Sequence, residues 1–275
     1  MPDYKWFDCP VIIPYYGGKY ELSKKLIPMI PRHERYIEVF AGGLSMFFRK
    51  SKVKDNIVND FDGDIANLYL SIAEDLDGFI NYCKMLPKSR QIFTSFKEEL
   101  KQKDNIEFPD IKRAVKYYYC IKNAFNKNIY TNITKDGDWN TDMLDFIHIS
   151  RKKMDGVLIE NFDFRTLFSK YPVKEKDFWY FDPPYVIAGE RGDYYFFDFT
   201  KNDHRDLFDM VSEIDDKGAK FMVSYDDHEL VWDLYSDFNI LAIPVKYAGQ
   251  TTNKDYKNEI VITNFEPESQ QLTLV

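Results

Sequence analysis

A short apolar segment that stops at two prolines is the feature that most constrains this chain. The run Phe178-Trp179-Tyr180-Phe181 is typical of a buried strand, and Asp182-Pro183-Pro184-Tyr185 follows it at once. Open α/β sheets bind their ligands at the carboxyl ends of such strands, and two prolines make the turn there stiff while removing two N–H donors. The segment thus presents a carboxylate, carbonyl oxygens and an aromatic ring, a set suited to a planar amine such as that of a nucleobase. A strand that merely ends at a proline turn is the competing interpretation, so the rest of the chain must decide.

Strand and helix signals alternate on both sides of this segment. Strands are predicted at residues 35–40 and 56–60, and the first leads through the turn Ala41-Gly42-Gly43 into a helix over residues 44–50. A further helix is predicted from about Gly63 to Ala73. The alternation resumes with a strand at residues 156–160, the strand before Asp182, a helix after the N-cap Thr200, and strands at 220–225 and 259–263. This order predicts an α/β fold.

Between residues 76 and 155 the pattern changes to basic helical segments, of which residues 114–125 are the clearest. The whole chain carries a net charge of -8, yet twelve Lys and Arg stand against five Asp and Glu between Lys84 and Lys135. Such a basic region in an acidic protein is typical of contact with nucleic acid. We therefore predict an α/β domain from residues 1–75 and 156–275, with a mostly helical insertion at residues 76–155.

Composition excludes several other classes of protein. Three cysteines, Cys9, Cys83 and Cys120, are far apart and predict neither a disulfide framework nor a zinc site. The four histidines are scattered, so no metal site is expected. No signal peptide and no apolar run of about 18 residues is present, and we expect a protein of reduced cytosol that has no membrane contact.

Two glycine pairs suggest where a cofactor binds. Gly42-Gly43 lies between a strand and a helix, where a backbone without Cβ atoms can approach a ligand closely. Asp60 ends the next strand, where a carboxylate can accept from both hydroxyls of a ribose. A second pair lies in Tyr15-Tyr16-Gly17-Gly18-Lys19. Either pair alone is more often a plain turn, but together with Asp60 they predict a cofactor that contains a nucleoside.

In this order, the segments resemble the Dam-type (D12 class) family of DNA adenine-N6 methyltransferases. The family signature is aromatic-x-Gly-Gly-Lys, a strand ending in Glu-x-Phe-x-Gly-Gly, an acidic ribose ligand, an inserted DNA-recognition unit, and Asp-Pro-Pro-Tyr. The resemblance extends from about Pro10 to Asn264. It implies an S-adenosylmethionine-dependent methyltransferase (Rossmann-like) sheet with an inserted, mostly helical DNA-recognition domain.

The resemblance also implies which residues hold the cofactor, S-adenosylmethionine. Tyr15 and Lys19 match the residues around its methionine end and sulfonium, and Tyr15 stands where many members have Trp. Asp60 matches the ribose ligand, and Asp163 matches the position beside the cofactor adenine. The loop under the methionine and ribose is matched by Glu38, Phe40, Gly42 and Gly43.

The catalytic segment matched by the resemblance is Asp182, Pro183, Pro184 and Tyr185, and Asp182 also belongs to the implied cofactor site. Asp182 and the Pro183 carbonyl would accept the two N–H bonds of an adenine amino group, and Tyr185 would stack on the base. The adenine would have to be flipped out of the duplex.

In the insertion, the segment from Ala124 to Asn128 resembles the part of the family that pushes an aromatic ring into the DNA. The residues predicted to contact DNA are Lys116, Lys122, Asn123, Phe125, Asn126, Lys127, Asn128 and Tyr130. For Phe125 alone, a core aromatic is the competing interpretation. Many members that read GATC carry an Arg four to five residues beyond this aromatic, where this chain has Ile129-Tyr130, and this departure argues against GATC.

The sequence thus predicts a site-specific DNA adenine-N6 methyltransferase that acts on double-stranded DNA without a metal. Two alternatives stay open at this stage: methylation of another planar amine, in cytosine N4 or RNA adenine, and a DNA-binding relative that has lost catalysis. A cognate restriction endonuclease is an expected partner, and a monomer or weak dimer is the expected state. The expected location is the cytoplasm of a bacterial cell or of a phage-infected host.

Overall fold

The protein is represented by a computed structural model that describes residues 9–14, 19–102, 107–125, 128–129, 131–134, 139, 144, 146–186, 199–245 and 257–267. Seven strands form one mixed sheet in the order β3-β2-β1-β4-β5-β7-β6. The strands are β1 (Arg35–Glu38), β2 (Asp55–Asn59), β3 (Leu158–Glu160), β4 (Asp177–Phe181), β5 (Lys220–Asp226), β6 (Asn239–Val245) and β7 (Lys257–Thr263).

Strand pairing gives this sheet a Rossmann-like, methyltransferase-type topology. β1 pairs with β4, β2 with β3, and β4 with β5, each in parallel, whereas β7 runs antiparallel to both β5 and β6. Every residue of β4 is buried, which explains the continuous apolar run seen in the sequence. The predicted α/β fold is therefore confirmed.

The described residues divide into two compact units. The first takes in those within Met1–Ile27, Ala41–Lys52 and Asn56–Phe162, and the second takes in those within Pro28–Phe40, Val53–Asp55 and Asp163–Val275. The predicted insertion, residues 76–155, lies wholly within the first unit. Its boundaries as a recognition domain stay a prediction.

In the first unit, helices surround a buried ion pair. Asp64, at the start of α3, is fully buried and accepts from Arg113 Nε at 2.5 Å, and Arg113 also donates to the Leu100 carbonyl at 3.1 Å. These contacts join α3 to α6 and to the end of α5. The helices of this unit are α1 (Tyr20–Leu26), α2 (Ser45–Arg49), α3 (Gly63–Glu74), α4 (Leu76–Met85), α5 (Arg90–Leu100), α6 (Ile111–Asn123) and α7 (Ile147–Lys153).

The second unit contains β1, β4 to β7, and the helices α8 (Phe164–Lys170), α9 (Lys201–Asp216) and α10 (Glu229–Leu234). At the start of α9, Thr200 and Asp203 form the capping box expected from the sequence. Buried Arg35 and Asp177 pair at the amino ends of β1 and β4, with Arg35 Nε 2.8 Å from Asp177 Oδ1. This pair fixes the start of the two strands whose other ends carry the candidate site.

Most predicted elements are present within one to three residues of their expected ends. Strand β6 was not predicted, because its apolar residues do not alternate cleanly and Pro244 interrupts them. The polar stretch Lys135-Asp136-Gly137-Asp138, whose composition is typical of a hairpin turn, lies outside the described residues. None of the described helices is long and apolar enough to cross a membrane.

Candidate active site

In the second unit, the segment after β4 is held by carboxylates from two other strands. The Tyr185 hydroxyl donates a short hydrogen bond to Glu259 on β7, and the Val186 N–H donates to Asp226 Oδ1 at 3.1 Å at the end of β5. Pro183 is buried, whereas Asp182, Pro184 and Tyr185 are half-buried. Tyr185 at the end of the turn and Val186 directly after it are thus anchored, and the two prolines make the turn itself stiff.

Buried tyrosines lie beneath this segment. Tyr180 is buried on β4 with its hydroxyl 3.1 Å from Ser224 Oγ. Burial raises the pKa of Tyr180 well above its usual value, and the negative charge of Asp182 adds to this effect. On β1, Tyr36 donates to buried Glu38 at 2.8 Å. Burial likewise raises the pKa of Tyr36, so both tyrosines stay protonated at physiological pH.

In the first unit, Asp60 organises the glycine turn that follows β1 in sequence. Asp60 Oδ2 accepts from Gly42 N at 2.8 Å and Oδ1 accepts from Asp62 N at 2.9 Å. The Tyr69 hydroxyl donates to the Gly42 carbonyl at 2.8 Å. Gly42 has a positive φ of 45°, which favours glycine. The two features singled out separately in the sequence, the glycine pair and Asp60, are therefore one hydrogen-bonded unit.

Leu44, directly after the glycine pair, has a φ of 53° and precedes the first residue of α2. A non-glycine residue in the left-handed region costs of order 1 to 3 kcal/mol and is found most often at functional sites. Nothing in the sequence marks this position. Lys19 is 6 % exposed and precedes α1, whereas Tyr15 lies outside the described residues.

The remaining cofactor candidates, Phe40 and Asp163, lie in the second unit. The Phe40 ring is 5.8 Å from that of Phe164 and 5.9 Å from that of Phe199. Asp163 caps α8 by accepting from Arg165 N at 2.9 Å, and the Arg165 side chain also bonds Asp163 Oδ2 at 3.2 Å. The Phe40 ring thus contacts Phe164, the first residue of the helix that Asp163 caps.

The DNA-contact candidates divide sharply by burial. Phe125 is 56 % exposed, so the competing interpretation of a core aromatic is wrong for this residue. Asn123 is fully buried and donates from Nδ2 to the Tyr119 carbonyl at 2.9 Å, and Lys122 and Asn128 are also buried. Lys116 pairs with Glu99. Asn126, Lys127 and Tyr130 lie outside the described residues. Contact with DNA stays a prediction for all eight, and among the described ones Phe125 is the most exposed side chain.

Two residues of the site were missed by sequence reasoning, namely Asp226 and Glu259. Both lie in or at the end of predicted strands, and they are register partners in the antiparallel pairing of β5 with β7. Glu259 is only 1 % exposed. A buried acid within an otherwise apolar strand was the available signal, because charged side chains are seldom buried without a partner.

His204 on α9 is a buried histidine near this site. It is 3 % exposed, and its Nδ1 lies 2.7 Å from the Tyr225 hydroxyl. Burial lowers the pKa of His204 to about 4. The ring is therefore neutral in the folded protein at neutral pH, and it serves the packing of α9 on β5. Among the residues that the structure describes, no group of three or more His, Cys, Asp or Glu could hold a metal ion.

This shift predicts a loss of stability in mild acid. The unfolded chain takes up a proton on His204 below about pH 6.5, whereas the folded protein resists protonation until about pH 4. The free energy of unfolding should therefore fall by roughly 3 kcal/mol between these values through this residue alone. Urea unfolding as a function of pH should show a flatter profile for His204→Gln. A His148→Gln variant at an exposed position is the control, and an equal change there would contradict the assignment.

Comparison with known proteins identifies a family and several relatives. Residues 15–248 match the family described as D12 class N6 adenine-specific DNA methyltransferase. The chain is 24 % identical to the type II methyltransferase M1.LlaDCHI of Lactococcus lactis, covering 90 % of this chain and 93 % of that protein. It is 25 % identical to the type II methyltransferase M.MjaIII of Methanocaldococcus jannaschii, covering 90 % of this chain and 96 % of that protein.

Two further matches extend the comparison. The retron Ec67 DNA adenine methylase of Escherichia coli is 25 % identical, covering 82 % of this chain and 81 % of that protein. Among solved structures, a precorrin-8w decarboxylase of Methanobacterium thermoautotrophicum aligns with a TM-score of 0.41 at 11 % identity, over 94 % and 95 % of the two chains. That structural similarity is too low to bear on function.

Proposed function

Because this chain belongs to the D12 class N6 adenine-specific DNA methyltransferases, a family that uses S-adenosylmethionine, we propose that the segment Asp182 to Tyr185 holds and activates an adenine flipped out of duplex DNA. The single observation that carries this proposal is the anchoring of the segment. Tyr185 bonds Glu259 and the Val186 N–H bonds Asp226, so the aromatic ring and the turn before it are set before substrate arrives.

The role proposed for Asp182 follows from the weak nucleophilicity of the amine. The lone pair of the adenine amino nitrogen is delocalised into the ring, so the nitrogen is a poor nucleophile. Asp182 and the Pro183 carbonyl accept its two N–H bonds, which favours a pyramidal nitrogen whose lone pair points at the methyl carbon. Tyr185 stacks on the exposed base, which compensates part of the few kcal/mol that flipping costs.

The cofactor residues of the first unit suit a ribose and its neighbouring chain. Asp60 is held by two backbone N–H groups, and in this proposal its carboxylate accepts from the hydroxyls of the ribose. Gly42 allows close approach of the backbone. Lys19 and Tyr15 hold the methionine end in this proposal. When bound, S-adenosylmethionine supplies a methyl group made electrophilic by the sulfonium charge.

The remaining cofactor contacts in this proposal are those implied by the sequence motifs. Phe40 offers an aromatic surface to the cofactor adenine, and Asp163 accepts from its amino group. Glu38 and Asp182 add negative charge that favours a sulfonium cation. The burial of Glu38 and the helix-capping hydrogen bond that orients Asp163 support these roles.

Residues 76–155 form the target-recognition domain in this proposal. The basic surplus of this part of the chain provides phosphate contacts, which supply affinity but not specificity. Phe125 enters the duplex, and its exposure supports that role. With Ile129 and Tyr130 in place of a guanine-reading Arg, the recognition sequence is one other than GATC.

Single-molecule sequencing of DNA from cells that express the chain tests this function and reads the sequence context at once. We expect N6-methyladenine at one recurring short sequence, and none in cells that express the Asp182→Ala variant. Modified adenine without a shared context would contradict site-specific recognition. A cognate restriction endonuclease, a monomeric or weakly dimeric state, and a bacterial or phage-infected host cytoplasm stay predictions.

A further inference from the structure

Four carboxylates lie at one edge of the sheet within the second unit, one from each of four strands. Glu38 ends β1, Asp182 follows β4, Asp226 ends β5, and Glu259 lies near the start of the antiparallel strand β7. Asp226 and Glu259 are register partners. Burying a charged group is costly unless it is paired or hydrogen-bonded. Glu259 is 1 % exposed, so a hydrogen-bond partner is expected for its carboxylate.

The hydrogen bond from the Tyr185 hydroxyl to Glu259 provides one. When a tyrosine ring stacks on a base, it loses the entropy of side-chain rotation. This cost is smaller if the ring is already held in one orientation. Glu259 comes from a different strand than Tyr185, and it accepts at the far end of the ring. A charged acceptor makes a stronger hydrogen bond than a neutral one. The ring face stays available to substrate, since Tyr185 is only half-buried.

We infer that Glu259 is a positioning residue for Tyr185, and that it acts on the target base through the tyrosine hydroxyl. The inference rests on the proposed function, in which Tyr185 stacks on the flipped adenine. Asp226 acts beside it by fixing the backbone one residue further on, through the Val186 N–H. Substrate affinity and turnover on DNA therefore depend on a residue 74 positions away in the chain, brought to Tyr185 by the pairing of β7 with β5.

The test is a double-mutant cycle on the purified full chain with tritiated S-adenosylmethionine and unmethylated plasmid DNA. Its variants are Tyr185→Phe, Glu259→Ala and the combination of the two. We expect each single change to lower kcat/KM for DNA by about 10- to 100-fold, with little effect on KM for S-adenosylmethionine. The combined variant should lose little more than either single one, because both remove the same hydrogen bond. Glu259→Gln, which keeps an acceptor oxygen, should recover part of the activity.

A matched control separates positioning from stability. Thr263 lies on the same strand β7, is fully buried, and donates to the Phe265 carbonyl at 2.7 Å. Thr263→Val should lower the melting temperature without changing kcat/KM for DNA. The inference is overturned if the losses in the cycle are additive, if they follow the melting temperature, or if Tyr185→Phe is as active as the original chain.

One further variant keeps this inference distinguishable from the proposed function. Tyr185→Ala removes the ring together with the hydroxyl. Low activity of Tyr185→Ala beside full activity of Tyr185→Phe would overturn the role of Glu259 while the stacking role of Tyr185 stands. Full activity of Tyr185→Ala would overturn the stacking role itself, and the inference with it.

Discussion

Replacing Asp182 with alanine is expected to lower kcat for methyl transfer by at least about 10³-fold, while affinity for duplex DNA stays within about threefold. In the proposed mechanism the carboxylate accepts an N–H of the amine only as the nitrogen becomes pyramidal, so its contribution is largest in the transition state. Loss of the interaction therefore appears in kcat and not in binding. Single-turnover kinetics with excess enzyme and a DNA-binding titration measure the two effects separately.

Asp182→Asn refines this expectation. The amide keeps one acceptor oxygen and loses the charge, so its kcat should lie between those of the original chain and Asp182→Ala. Asp209→Ala, which removes an exposed carboxylate from α9 in the same unit, is the control for net charge and should be fully active. A kcat for Asp182→Ala within tenfold of the original would refute the proposed mechanism.

The second large effect is expected at Asp60, in cofactor binding. Asp60→Ala should raise the Kd for S-adenosylmethionine by at least about 100-fold, because hydrogen bonds to a charged group contribute about 1.5 to 3 kcal/mol each. Part of this loss is indirect. Asp60 also accepts from Gly42 N, so without it the glycine turn loses the bond that sets its shape. Isothermal titration calorimetry measures the change directly.

Two further variants show whether the loss of affinity in Asp60→Ala comes from the lost contact with the cofactor. Asp60→Asn retains an acceptor oxygen and should lose less affinity than the alanine variant. Asp55→Ala removes an exposed carboxylate from the opposite end of β2 and should bind S-adenosylmethionine as the original chain does. Equal affinities for Asp60→Ala and Asp55→Ala would mean that Asp60 does not contact the cofactor.

The local signals in the sequence were sufficient for much of the fold. The apolar run before Asp182 became the fully buried strand β4, and Thr200 with Asp203 became a capping box, because both depend on residues adjacent in the chain. Strand β6 was missed, since an edge strand with Pro244 lacks a strong period. The burial of Lys122 and Asn123 was missed for a different reason. Helical spacing shows which residues share a face, but it does not show which face the neighbouring helices cover.

By itself the sequence determined the family, the order of its motifs, and the candidate residues Asp60 and Asp182 to Tyr185. These depend on short stretches whose residue types carry the chemistry. Only the tertiary structure decided that Asp60 bonds Gly42 and that Glu259 holds Tyr185. The reason is physical: both contacts join residues of separate segments, and they exist only once the sheet has set which strands are neighbours and in which register.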